Sequence, residues 1–119
     1  MINKVLIPLY LDQVAPRFDL STEALIVTHT LENQVEEERN VILPQASSEK
    51  LCHIILTEHI DTVICGAIED EYHQFLKWKK IEIWDSVAGP VREVLARYLD
   101  RLLKPGQILW TRKIEGRHV

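Results

Sequence analysis

Cysteine is scarce in this chain, and the two cysteines present are poorly placed for joint chemistry. Cys52 and Cys65 are the only cysteines among 119 residues, and no CxxC pair occurs. Their spacing matches no paired metal-ligand motif, and both lie in apolar surroundings. We therefore expect two buried, reduced thiols and no thioredoxin-like chemistry.

Long runs of one charge and long apolar runs are also missing. The chain carries 14 Lys and Arg against 18 Asp and Glu, for a net charge of −4, and its largest basic cluster is Lys77, Lys79 and Lys80. Phosphate backbones are bound by clustered cations, so no nucleic-acid partner is expected. The apolar stretch at residues 5–11 contains Pro8, is too short to span a membrane and lacks a signal-peptide cleavage pattern. We expect no membrane association and a cytoplasmic location.

The chain does contain enough apolar material for one core. Hydrophobic residues make up 46% of it and charged residues 27%, which is typical of a soluble globular domain. A fold of this size buries roughly two-thirds of the surface that the unfolded chain exposes. We predict one domain over residues 1–106 and a C-terminal tail over residues 107–119.

The apolar pattern predicts strands and helices in the order β-β-β-α-β-α-β-α. Strands are indicated by runs that are apolar on both faces or alternate with polar residues. Helices are indicated by apolar residues every three or four positions after a serine or Gly-Pro start signal. The predicted strands are residues 5–9, 25–31, 35–42, 63–65 and 81–84, and the predicted helices are residues 48–59, 69–79 and 90–104. This order gives a mixed five-stranded α/β sheet with flanking helices, whose second half is parallel.

Three loops should meet at one edge of that sheet. Ligands of parallel α/β sheets bind beyond the carboxyl ends of the strands. Residues 11–19, 66–69 and 85–89 follow such ends. Binding residues are therefore expected in these loops.

The loops and their flanking strands carry four motifs that occur together in one protein family. Residues 14–20 read VAPRFDL, 63–68 read VICGAI, 81–84 read IEIW and 87–95 read VAGPVREVL. In this order, over approximately residues 5–103, the chain resembles the dinitrogenase iron–molybdenum cofactor biosynthesis family, which includes NifX and the C-terminal domain of NifB. The resemblance implies a ribonuclease H-like fold that carries an iron–sulfur or iron–molybdenum cluster in nitrogenase cofactor assembly, without turning over a substrate. It also implies metallocofactor assembly proteins as partners, with a homodimer as a further option.

Two positions depart from the family pattern. Arg17 stands where many members have a histidine that is suspected of cluster ligation, and Ala67 replaces the second glycine of a Gly-Gly pair. An arginine side chain is permanently charged and can donate two hydrogen bonds to one anionic group, whereas a histidine side chain offers a metal-binding nitrogen. Gly66, Ala67 and Gly89 are predicted near helix starts, whose free amides attract negative charge. The candidate cofactor-binding residues are therefore Arg17, Phe18, Cys65, Gly66, Ala67 and Gly89, with Cys65 as the candidate metal ligand.

Each of these residues also has a purely structural interpretation. Cys65 fits a core position, since free cysteine is among the most buried residue types. Gly66 fits close packing of a strand against a helix. Arg17 fits a salt bridge with Asp19 or Glu23.

Residues that the chain lacks weigh against several other functions, and its C-terminal tail suggests one alternative. A standard iron–sulfur cluster takes about four thiolates, so two cysteines cannot hold one alone. Two-metal nuclease chemistry needs converging carboxylates, and neither residues 5–9 nor 65–66 contain one. We expect no catalysis. An alternative is an interaction or regulatory module that has lost cluster binding, with Trp110 and Ile114 of the tail forming a docking strand.

Overall fold

The computed structural model describes residues 2–103, 106 and 108 and shows a mixed α/β fold. Its strands are β1 (Ile2–Tyr10), β2 (Gln13–Val14), β3 (Glu23–Thr30), β4 (Val35–Ile42), β5 (Thr62–Ile64) and β6 (Glu82–Trp84). Its helices are α1 (Ser48–Thr57), α2 (Asp70–Trp78) and α3 (Val91–Leu99), with a short 3-10 turn at Phe18–Leu20. The prediction of a mixed α/β fold is confirmed.

The strands form one sheet in the order β4-β3-β1-β5-β6, and β2 pairs with β1 outside that path. The sheet has six strands, so the predicted count of five was wrong, and the order becomes β-β-β-β-α-β-α-β-α. The additional strand, β2, is only two residues long and pairs antiparallel with the end of β1. A two-residue strand has no periodicity for the sequence to show. The ribonuclease H-like classification stays a prediction.

The antiparallel and parallel halves of the sheet meet at β1. β1 pairs antiparallel with β3 and parallel with β5, and β5 pairs parallel with β6. The parallel prediction for the second half is therefore confirmed. The carboxyl ends of β1, β5 and β6 share one edge, and their amino ends share the opposite edge.

Alternation along β1 divides the core into two layers. Val5, Ile7 and Leu9 face α3, whereas Leu6 packs with residues of α1 and α2. Side chains alternate across a strand, so a central strand must be apolar on both faces. β4, by contrast, is an exposed edge strand.

The last helix is shorter than its apolar pattern predicts. α3 ends at Leu99, where residue 104 was expected, because Arg101 adopts a positive φ of 62° that breaks the helix. Leu103 is nevertheless buried in the α3 layer of the core. The predicted tail, residues 107–119 with Trp110 and Ile114, lies outside the described residues except for Ile108. No helix in the described part of the chain is long and apolar enough to cross a membrane.

Candidate ligand site at the carboxyl edge of the sheet

Backbone hydrogen bonds join the three predicted loops at the carboxyl edge. The amide of Phe18 donates to the carbonyl of Ala67, and the amide of Ala67 donates to the carbonyl of Pro16, each over 2.8 Å. The amide of Val14 donates to the carbonyl of Gly89 over 3.0 Å. The loop of residues 11–18 is therefore fixed against both of the other loops.

Gly66 is required for this close approach. A Cβ at this position would lie 2.5 Å from the carbonyl oxygens of Ala15 and Pro16 and 2.8 Å from the carbonyl carbon of Pro16. All three are backbone atoms, which cannot rotate away as a flexible side chain can. The structure thus gives Gly66 a packing role, against the loop of residues 11–18 and not against a helix.

Phe18 and Cys65 lie beneath that loop contact. Both side chains are fully buried and belong to the core layer that faces α1 and α2. Burial, together with the charge of Asp85, raises the pKa of the Cys65 thiol to about 12. Burial also raises the pKa of Cys52 to about 11. Both thiols are therefore protonated at neutral pH, whereas metals bind the thiolate.

The amides near Gly66 are less available to an anion than the sequence indicated. β5 ends at Ile64 and α2 begins at Asp70, so Gly66 and Ala67 lie in the intervening loop and not at the helix start. The amide of Ala67 already donates to Pro16. The true start of α2 carries Glu69, Asp70 and Glu71, whose negative charges oppose anion binding there.

Gly89 has a conformation that favours glycine. Its φ is 141°, and its carbonyl accepts the hydrogen bond from Val14 immediately before α3. The first amide of α3, on Val91, donates to the carbonyl of Asp12 over 2.9 Å. Gly89 thus positions the loop against α3, and the leading amide of that helix is already occupied.

Arg17 is an exposed cation at this edge, and it is paired. Its side chain is 59% exposed, and its Nε and Nη2 donate to the two carboxylate oxygens of Asp19 over 3.0 and 2.6 Å. This bidentate contact raises the pKa of Arg17 and lowers the pKa of Asp19. The partner is one of the two acids that the sequence suggested. Arg17 keeps its charge at all physiological pH values, but Asp19 offsets much of its attraction for an anion.

Apolar side chains next to Arg17 were not singled out from the sequence. Arg17 lines a groove of about 240 Å³ together with Tyr10, Pro16 and Leu20. Tyr10 and Leu20 are 64% and 60% exposed. Tyr10 ends the apolar run of β1, and Leu20 lies two residues after the buried Phe18. The sequence alone would therefore favour burial of both side chains, and only the fold shows that they face solvent. A cation beside apolar walls can hold an anion that also presents apolar surface.

The described residues do not form a binding site for a bare metal ion. In that part of the chain, no group of three or more His, Cys, Asp or Glu side chains could hold one.

Three solved structures share this architecture. The protein PH0822 aligns with a TM-score of 0.77 at 20% identity, over 86% of this chain and 93% of that one. A "putative dinitrogenase" from Methanocaldococcus jannaschii, MJ0327, aligns with a TM-score of 0.71 at 26% identity, over 87% of this chain and 95% of that one. A "putative NifB protein" from Thermotoga, TM1290, aligns with a TM-score of 0.65 at 16% identity, over 87% and 92%.

The chain shares the fold of these proteins. The similarity to PH0822 and TM1290 shows the fold alone, whereas the similarity to MJ0327 extends, at low identity, to the sequence. Comparison by sequence alone finds no matching family model and no matching curated protein.

Proposed function

We propose that this protein is an accessory protein that binds or carries an iron–sulfur or iron–molybdenum cluster during metallocofactor assembly, and that it catalyses no reaction. The observation that carries the proposal is the fold shared with MJ0327 at 26% identity, over nearly the whole of both chains. The four ordered sequence motifs support it independently. Nitrogen fixation is the pathway that the names of MJ0327 and TM1290 suggest.

The cluster is proposed to bind as cargo on the surface next to Arg17. Two thiols cannot complete a standard cluster, which takes about four thiolates. Both thiols are also buried and protonated at neutral pH. We therefore assign the main attraction to the Arg17 guanidinium and the contact area to Tyr10, Pro16 and Leu20. Ligation by Cys65 stays a prediction, and it would require the loop of residues 11–18 to open.

The first experiment measures whether the cluster stays with the protein. Purified protein is mixed anaerobically with iron–molybdenum cofactor or with a preformed iron–sulfur cluster, then separated by gel filtration. Iron, molybdenum and visible absorption are read in the protein peak. We expect stoichiometric metal to co-elute with the protein. A colourless, metal-free peak from folded protein would contradict the proposal.

Two variants at one ion pair test the assigned site. Arg17→Ala should weaken retention, and Asp19→Asn should strengthen it, because the guanidinium then loses its competing carboxylate. Arg92→Ala is a matched control, since Arg92 is 65% exposed and also forms a surface ion pair, with Glu38 over 2.8 Å. If the Arg17 variant retained as much metal as the Arg92 variant and the wild type, Arg17 would not belong to the cluster site.

The alternative function is an interaction or regulatory module without cluster binding. It is favoured by the pairing of Arg17 with Asp19 and by the exposed apolar side chains of Tyr10 and Leu20 beside them. A metal-free protein that still binds an assembly protein would support this alternative, and Leu20→Asp should then weaken that binding. A homodimer is a further proposal, which light scattering tests. We expect it not to use the β4 edge, because Glu36, Glu37 and Glu38 would face a second copy there.

A further inference from the structure

A polar cavity lies at the opposite edge of the sheet from the candidate cluster site. It has a volume of about 300 Å³, and its lining includes Asn3, His29, Glu82, Trp84, Tyr98 and Arg101. These residues come from β1, β3 and β6, from α3 and from the turn after it. The cavity is at the lower end of the size range of small-molecule sites.

One wall of this cavity is held by a buried hydrogen-bond chain. His29 is 2% exposed, and its Nδ1 lies 2.9 Å from the carbonyl oxygen of Thr30. A carbonyl oxygen only accepts, so Nδ1 carries a hydrogen in this contact. The hydroxyl oxygen of Tyr98 lies 3.0 Å from Nε2 of His29, within hydrogen-bond distance. Burial raises the pKa of Tyr98, which keeps this hydroxyl protonated.

The lining also includes a residue with an unpaired hydrogen-bond donor. The indole Nε1 of Trp84 is buried and has no hydrogen-bond partner among the described residues. A buried N–H without an acceptor loses its hydrogen bond to water on folding and forms no hydrogen bond within the protein, which costs free energy. Trp84 therefore contributes ring surface to the cavity, while its N–H lies beneath that surface.

The charges of the lining restrict what that molecule can be. Arg101 is a permanent cation, and its Nη2 uses one donor on the carbonyl of Leu31 over 3.2 Å. Glu82 is an anion whose Oε1 accepts from the hydroxyl of Thr62 over 3.3 Å. A simple anion would be repelled by Glu82 and a simple cation by Arg101. A molecule that carries both charges can satisfy both residues.

We propose that this cavity binds a small zwitterion of the amino-acid type, independently of any cluster. Its carboxylate is assigned to Arg101 and its ammonium group to Glu82, and the ring of Trp84 lies in the same lining. This edge is formed by the amino ends of the parallel strands, so the proposed site shares no residue with the candidate cluster site.

The test follows the indole N–H signal of Trp84 by two-dimensional NMR, after its assignment with Trp84→Phe. The standard L-amino acids are added singly at about 10 mM, which detects millimolar dissociation constants. The strongest binder is then compared with two analogues, one without the amino group and one without the carboxyl group. We expect saturable shifts of the Trp84 signal and at least about tenfold weaker binding of both analogues.

Charge-neutralising variants complete the test. Glu82→Gln and Arg101→Gln should each weaken binding about tenfold or more, because each removes one charged partner of the zwitterion. Arg92→Gln, at the opposite end of α3, is the matched control and should bind as the wild type does. The proposal is overturned if no amino acid shifts the Trp84 signal, if an analogue binds as tightly, or if Arg92→Gln weakens binding equally.

Discussion

Replacing Gly66 by alanine tests whether the loop of residues 11–18 is closed over the end of β5. The added methyl carbon would meet three backbone atoms of Ala15 and Pro16 at 2.5 to 2.8 Å. Either the strained contact persists, or the loop moves away. In the first case overpacking costs about 1–3 kcal/mol. In the second case the two hydrogen bonds between the loop and Ala67 are lost, at about 1 kcal/mol each.

Together the two routes predict that Gly66→Ala lowers the free energy of unfolding by about 1–3 kcal/mol. Urea denaturation measures this difference. Amide hydrogen exchange then distinguishes the routes, because movement of the loop would accelerate exchange at Phe18 and Ala67. Gly106→Ala is the control: Gly106 has a φ of 78° but nothing within 4 Å of an added Cβ. That variant adds backbone strain of about 1 kcal/mol without a steric clash.

One outcome would refute the reasoning. If Gly66→Ala were as stable as the wild type, the loop would not be pressed against this strand end in solution. Cys65 would then have to be reconsidered as an accessible group.

Two further predictions concern stability. The pKa of Cys65 is about 12 in the folded state, whereas the thiol of an unfolded chain has its ordinary pKa of 9.0. Burial of Cys65 therefore contributes stability that is fully present below pH 9 and is lost above it. The difference in free energy of unfolding between the wild type and Cys65→Ala should shrink by about 1.4 kcal/mol per pH unit between pH 9 and 11. Urea titrations measure this difference. A constant difference would exclude a buried thiol. Ser47→Ala should lower the free energy of unfolding by about 1 kcal/mol, since the Ser47 side chain accepts a hydrogen bond from the amide of Lys50 at the start of α1; an unchanged urea midpoint would contradict this capping role.

Elements with strong periodicity could be predicted from the sequence, and short ones could not. Residues 35–42 were predicted as a strand and form β4 with the same bounds. α2 lies one residue inside its predicted range at each end. β2 was missed because two residues show no pattern. α3 was predicted too long because Leu103 continues the apolar spacing, although it enters the core from a turn and not from the helix.

The candidate site shows a similar division between local and long-range information. The Arg17 and Asp19 pair could be anticipated, because the two residues are close in sequence. The contact between Gly66 and the carbonyls of Ala15 and Pro16 joins residues about 50 positions apart, and no local pattern encodes it. The cavity at the amino edge was missed for the same reason. Its residues become neighbours only when β1, β3, β6 and α3 have assembled.

The closed loop also bears on how a cluster would be carried. Because Gly66 lets the loop pack over Cys65, a cargo meets an exposed cation, its competing carboxylate and a shallow apolar groove. Exposed ion pairs of this kind contribute little binding energy, since water and salt screen them. The attraction of Arg17 should therefore be strongest at low ionic strength, so co-elution of the proposed cargo is measured there and should fall as the salt concentration rises. Co-elution that did not depend on salt would show that Arg17 does not supply the main attraction.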